Sequence, residues 1–279
     1  MKRLLSLALL LPCLAWAETV VTHLPVNQYL TEQLLQETEH NVEYLPPKRY
    51  NLSRLENWFA SKAKPEQIEQ WAKADALVHL NSLWPKDPLY PLLRQYNVRI
   101  IAIDSADPQH PKATKVAVRS NKNGSISPFV WLNPNNLKTM STIISRDLSA
   151  LYPAHAVTIS RNQQALLKAI AKMEQRNQDW LFDNEVEEVI VVGDKLADFV
   201  YGYNLFAVGH FSASIDQWQA QQWQQLAQLH DEGVTLLVAK QPTKDAAAKL
   251  EQMGIKLLLI DTVEKMGKGT DLLRWQLKS

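Results

Sequence analysis

The chain has 279 residues, 46% of them hydrophobic and 21% charged, which is ordinary for a folded protein and long enough for two cores. Lys plus Arg number 30 against 29 Asp plus Glu, and no basic run interleaved with aromatics occurs, so no nucleic-acid partner is expected. The single cysteine, Cys13, falls in the N-terminal leader, so the mature chain is expected to hold its lobes by packing alone.

The leader MKRLLSLALLLPCLAWAET joins Lys2 and Arg3 to an apolar run from Leu4 and ends in Ala15-Trp16-Ala17. That is the charged, apolar and small-residue order of a secretory signal. The apolar run is too short for an ordinary membrane-spanning helix. Pro12 stands before Cys13, where a lipoprotein signal wants a small residue. Removal of residues 1–17 as a signal peptide is therefore expected, leaving a soluble periplasmic protein.

Alternation of strand and helix follows. ETVVTHL (18–24) is a short β-branched run, QYLTEQLLQ has helical spacing, and VEYLP (42–46) is a second strand ended by Pro46-Pro47. PEQIEQWAKA starts a helix with Pro65 in its first turn. ADALVHL (74–80) and VRIIAID (98–104) read as strands around a helical DPLYPLLRQY, and KVAVRS (115–120) as a further strand. PPKRYNLSRLENW reads as a loop. Asn133 and Pro134 are placed to cap and open a helix whose apolar face is Leu137, Met140, Ile144, Leu148 and Leu151. After Pro153 one long helical pattern runs from about 155 to 181, with Ile159, Leu166, Ile170, Met173 and Trp180 near one face.

The alternation then restarts with strands at 187–194, 204–210, 234–240 and 255–261, and helices between them. Gly233 supplies a helix stop. Short β-branched runs alternating with helices imply parallel sheets covered on both faces. The expected fold class is α/β, with two lobes, each a mostly parallel sheet flanked by helices, joined by one long central helix. The boundaries are an N-terminal lobe at 18–152, a linking helix at 153–183 and a C-terminal lobe at 184–279. Ligands bind at the carboxyl ends of strands in such sheets. The residues at those ends are His23, Lys48, Arg49, His79, Asp104, Gly193, Asp194, His210, Lys240 and Asp261.

Four stretches, VVTHLPVNQYL, FVWLNPNN, GDKLADFVYGYNL and LLLIDTVE, together resemble the periplasmic solute-binding proteins of zinc and manganese ABC transporters. The resemblance spans nearly the whole mature chain. FVWLNPNN is similar to that family's His-x-Trp-Leu-Asp-Pro motif, and GDKLADFVYGYNL to its His-Asp-x-Phe-x-Tyr segment. The resemblance implies a two-lobed receptor that delivers a small solute to an ABC permease and ATPase complex in the inner membrane.

The departures bear on the cargo. The family's two motif histidines fall on Phe129 and Gly193, and the loop after the second strand has no histidine. A further acidic position falls nearest Lys240, so only Asp261 matches a family metal ligand. Zinc and manganese sites need several N or O donors converging at about 2.0–2.2 Å. Phe and Gly offer none. The resemblance leaves bound zinc or manganese open and expects neither at the family's position.

Two other clusters compete for a role. His23 and His79, with Asp104, Asp194, His210 or Asp261, could rebuild a shifted metal site, or could be locally bonded strand-end residues. Lys48, Arg49 and Lys240 could converge on an anionic ligand or a metal chelate, or the first two could be a solvated loop. Phe129 and Trp131 could stack on a ligand or pack between lobes. His40, His110, His155 and His230 are placed on surfaces or in loops. No nucleophile motif, phosphate loop or H-E-x-x-H occurs, so no enzyme is expected. The reading is a solute receptor whose cargo is a metal complex or another small ligand. The other reading is an envelope scaffold derived from the same family.

Overall fold

The computed structural model describes residues 18–120, 124–229 and 234–265. Residues 1–17, expected to be a signal segment, and His230 and Gly233 lie outside them. Two four-stranded parallel sheets form, of the same topology. The first has the order β2-β1-β3-β4, from β1 (Thr19–Thr22), β2 (Asn41–Tyr44), β3 (Ala76–His79) and β4 (Ile101–Asp104). The second has the order β6-β5-β7-β8, from β5 (Glu188–Val192), β6 (Phe206–Phe211), β7 (Thr235–Val238) and β8 (Lys256–Leu259). Every pairing is parallel, and β5 shifts register against β6 between Val189 and Ile190.

Burial follows strand position. Central β3 and β7 are buried at every residue, whereas edge β2 alternates exposed and half-buried residues. That is why ALVH and TLLV are near-continuous apolar runs and NVEY is mixed. Helices cover both faces: α1 (Pro25–Leu34), α2 (Leu52–Ser61), α3 (Pro65–Trp71) and α4 (Leu89–Arg94) around the first sheet, then α5 (Pro134–Leu151). α6 (Ala156–Asp183) runs between the lobes, and α7 (Ala197–Gly202), α8 (Ala220–Leu229) and α9 (Lys244–Gln252) cover the second sheet.

The cap expected of α5 is present, with the Asn133 side chain accepting the Asn135 N–H at 2.9 Å and Pro134 at the first position. The 28 residues of α6 bury Ile159, Leu166, Ile170 and Met173 in one stripe. α6 is fastened to both lobes. Asn162 Nδ2 donates to Leu34 O at 3.0 Å and to Gln36 O at 2.7 Å, and Asn177 Nδ2 donates to Tyr203 Oη at 2.8 Å.

Two local readings are corrected. KVAVRS forms no named strand; it holds only an isolated bridge between Ser120 and Ile126. Its Lys115, Ala117 and Val118 are exposed, so nothing recruits it to a sheet edge. The loop read at PPKRYNLSRLENW turns into α2 at Leu52, and the Leu52, Leu55, Trp58 and Phe59 of that helix are buried at helical spacing.

Candidate functional site

The carboxyl ends of all four strands of the second sheet open on one cavity of about 750 Å3, which Asn51 of the first lobe also lines. This is the place where a parallel sheet presents its loops, at the switch point between β5 and β7. The β5 loop turns there through Gly193 at φ +83°, a left-handed conformation that glycine adopts without strain. Gly193 N–H donates to Phe211 O at 2.7 Å, which fixes the turn on β6.

Charged groups of both signs line this cavity, and most are visibly paired. Lys240 Nζ lies 3.3 Å from Asp216 Oδ2, and Thr243 N–H donates to Asp216 Oδ1 at 2.8 Å. That backbone bond is the main cause holding the Asp216 carboxyl below its ordinary value. Lys195 Nζ lies 2.5 Å from Glu264 Oε2, which also accepts the Thr262 hydroxyl at 3.0 Å. Asp261 Oδ1 accepts the Val263 N–H at 2.9 Å. Asp194 Oδ1 lies 3.3 Å from His210 Nε2, which sits 3.2 Å from Gly193 O.

The sequence-derived positions separate into four places. Gly193, Asp194, Lys240 and Asp261 line the cavity, and His210 stands beside it against Asp194. Lys48 and Arg49 are exposed, do not line it, and Arg49 lies over its neighbour Tyr50. Phe129 and Trp131 are buried in edge contact with centroids 5.4 Å apart. They sit at the seam between lobes. Trp131 Nε1 donates across it to Thr262 O at 3.1 Å, and Lys195 Nζ lies 5.4 Å from the Phe129 ring centroid.

The fourth place is the carboxyl end of the first sheet. His23 Nε2 lies 2.9 Å and His79 Nδ1 4.0 Å from Asp87 Oδ2, with all three side chains buried. Trp84 stacks on His23, and Phe59 meets it edge-on. Burial pushes the Asp87 carboxyl up, but His23, the Leu89 N–H and His79 together hold it below its usual value. Burial also pushes the His79 imidazole down, more than Asp87 and Asp104 raise it. Asp104 is occupied by Ser82, accepting its N–H at 2.7 Å and its hydroxyl at 3.0 Å. His40 lies in the loop before β2, where its ring stacks on Tyr152 and its side chain is only 4% exposed.

Among the described residues no three His, Cys, Asp or Glu side chains are grouped so as to hold a metal ion. Nor, among them, is any helix long and apolar enough to cross a membrane. Sequence reasoning missed Asp87, Lys195 and Glu264. Asp87 had a local signal, because it stands just before α4 and accepts the Leu89 N–H at 3.0 Å as a cap would. Lys195 and Glu264 had none, since their meeting depends on how β5 and β8 flank β7.

Two like-built parallel sheets joined by one long helix, with a cavity at strand ends between lobes, define the class of two-lobed solute-binding folds. A model of the family described as "ZnuA: Zinc-uptake complex component A periplasmic" matches residues 20–278. The chain belongs to that family, whose members are periplasmic solute-binding components of metal-uptake transporters. The fold is similar to a crystal structure of ZnuA, with TM-score 0.65, 23% identity, and 89% of this chain and 92% of that chain covered. It is similar to the Zn(II)-bound ZnuA-like domain of AdcA from Streptococcus pneumoniae at TM-score 0.69 and 16% identity, covering 94% and 93%. It also resembles the metal-dependent lipoprotein YcdH from Bacillus subtilis at TM-score 0.71 and 16% identity, covering 91% and 90%. No curated protein matches the chain.

Proposed function

We propose that this protein is an exported receptor of an ABC transporter that captures a small polar solute or a metal complex, not a bare divalent ion. It hands that solute to a membrane permease coupled to an ATPase. The observation that carries the reading is the cavity at the second sheet. Its volume of about 750 Å3 falls in the range of about 300–1,000 Å3 typical of sites for small organic molecules. A naked ion needs a compact donor set instead, and the donor chemistry at the family's ligand positions does not fit one. Phe129 offers a ring face, Gly193 no side chain, and Lys240 an ammonium. Asp261 alone supplies an anionic donor there.

Asp194, Asp216, Asp261 and Glu264 share the lining with Lys195, Lys240 and Lys265. A ligand carrying both signs of charge is complementary to such a wall, whereas a polyanion meets four carboxylates. Residues 18–152 and 184–279 act as the two lobes in this reading, 1–17 as the export signal, and 153–183 as the spine. The fastening of α6 to both lobes supports small closure motions rather than a wide hinge. Catalysis has no part in it.

Native mass spectrometry and elemental analysis of protein purified from the periplasm test the reading. An organic adduct or a chelated metal is expected. Calorimetric binding of bare zinc or manganese at micromolar affinity or tighter would refute it. A cleft that is empty and binds no solute would favour the scaffold reading.

A further inference from the structure

Asp198 is the second residue of α7 and is fully buried, with the Ser127 hydroxyl as the hydrogen-bonding neighbour of its carboxyl. It does not line the cavity. Its surroundings come from the first lobe. The Ser127 hydroxyl and the Arg119 guanidinium both favour its charged form. Arg119 is itself committed to α7, with its guanidinium carbon 3.2 Å from the centroid of the Tyr201 ring and its Nε buried without a hydrogen-bond partner.

The other parts of the first lobe packed on α7 bring no charge. They are the 3-10 turn Val130–Leu132 and the start of α5. The approach there is close: a Cβ on Gly202 would lie 2.8 Å from Asn133 Cα. Helix α7 of the second lobe is thus clasped by the first lobe on one side through backbone packing. On the other it is held through one arginine, one serine and one buried acid.

We propose that Asp198 is a proton-operated latch between the lobes: ionised, it draws Arg119 onto α7, and protonated, it releases that arginine. The Trp131 bond and the backbone packing of α7 on Asn133 then hold the seam without that pair of charges. The latch stands whether or not the cavity takes the solute proposed above.

Burial pushes the Asp198 carboxyl up to about 6, against the opposing pull of Ser127 and Arg119. The charge on the latch therefore changes within a mildly acidic range. An acid with a raised value in the fold holds its proton more tightly there than when unfolded. Ionising Asp198 thus loosens the fold above about pH 6, and that loss disappears below the unfolded value of 3.8. The latch draws Arg119 in at some loss of global stability, which an isosteric amide would restore.

The test is carbon NMR of the Asp198 carboxyl across pH 4 to 8 in the mature protein, with exchange of the Arg119 Nε–H measured at each point. A midpoint near 6 is expected, together with Arg119 exchange several-fold faster below it after correction for intrinsic rates. Asp198→Asn should exchange at the fast rate at every pH. Ser127→Ala, which leaves the acid in place, should move the midpoint upward. Arg119 exchange that is unchanged between pH 5 and 7.5 in the wild type overturns the latch. A Ser127→Ala midpoint that does not rise overturns it as well.

Discussion

Asp87→Ala removes the acceptor on which the closed end of the first sheet depends. In the native chain one oxygen of Asp87 accepts the buried Leu89 N–H at 3.0 Å, and the other lies 2.9 Å from His23 Nε2. Alanine leaves both groups without that partner among Phe59, Trp84 and Leu89, where water has no ready entry. An unmet buried donor costs about 1–3 kcal/mol, and breaking a buried pair by deleting one partner costs about 3–5 kcal/mol. Two donors stranded at the first figure sum to about 2–6 kcal/mol, a range that contains the second figure of about 3–5 kcal/mol. At about 2–4 °C per kcal/mol for domains approaching this size, that is a fall in Tm on the order of 10 °C.

The pH dependence separates charge from packing in that experiment. Asp87 has a depressed value in the fold, so its contribution is complete above its unfolded value of 3.8 and is lost as pH falls through the lower folded value. The gap in Tm between wild type and variant should therefore be full at pH 7 and shrink below pH 4. His79, kept neutral by burial, adds an acid loss of its own that begins near its unfolded value of 6.5. Calorimetric or circular-dichroism melts at pH 7 and pH 3.5 decide the matter. A drop under 2 °C at neutral pH, or an equal gap at both pH values, would refute the assignment of a charged, bonded role to Asp87.

Four further outcomes follow from the seam and the cavity. Trp131→Phe removes the donor to Thr262 O and should destabilise by about 1–3 kcal/mol in urea melts, since a buried acceptor loses its partner. Gly202→Ala places a methyl 2.8 Å from Asn133 Cα, and such overpacking against backbone should cost about 1–3 kcal/mol, seen as a lower Tm with amide shifts around Asn133. Lys240→Met should change stability by under about 0.5 kcal/mol, because its side chain is 79% exposed and surface pairs are screened. Lys195→Met should lower stability more, because it strands Glu264, whose side chain is only 11% exposed.

The architecture was legible because each element carried its own periodicity. ALVH and TLLV announced central strands by unbroken apolarity, and the stripe from Ile159 to Met173 announced the spine. KVAVRS misled because β-branched residues mark a strand only where a neighbour offers a ladder, and β4 takes none there. Helix α2 was missed because the loop was read for a missing histidine, although Leu52, Leu55, Trp58 and Phe59 carried a helical signal. Asp194, Lys240 and Asp261, named together as strand-end residues, line one cavity. Strand-end geometry could not say that Lys48 and Arg49 would point elsewhere, because exposed loops carry no pattern that fixes direction.

The same geometry should have treated both sheets alike, since their strand orders are equivalent. What separates them is the connection that follows the inner strand. After β3 the chain spends residues 80–88 before α4, and this stretch folds back over the strand ends. Leu80 and Leu83 are buried, Ser82 satisfies Asp104, Trp84 stacks on His23, and Asp87 pairs with His23. After β7 only residues 239–243 precede α9, too short a run to reach back across the edge. Its Lys240 extends along the rim to Asp216 instead. The first sheet therefore has its strand-end histidines buried under this loop, while the second leaves Asp194, Asp261 and Lys240 lining an open cavity. Loop length after one strand, rather than the identity of any strand-end residue, separates the covered strand ends of the first sheet from the open ones of the second.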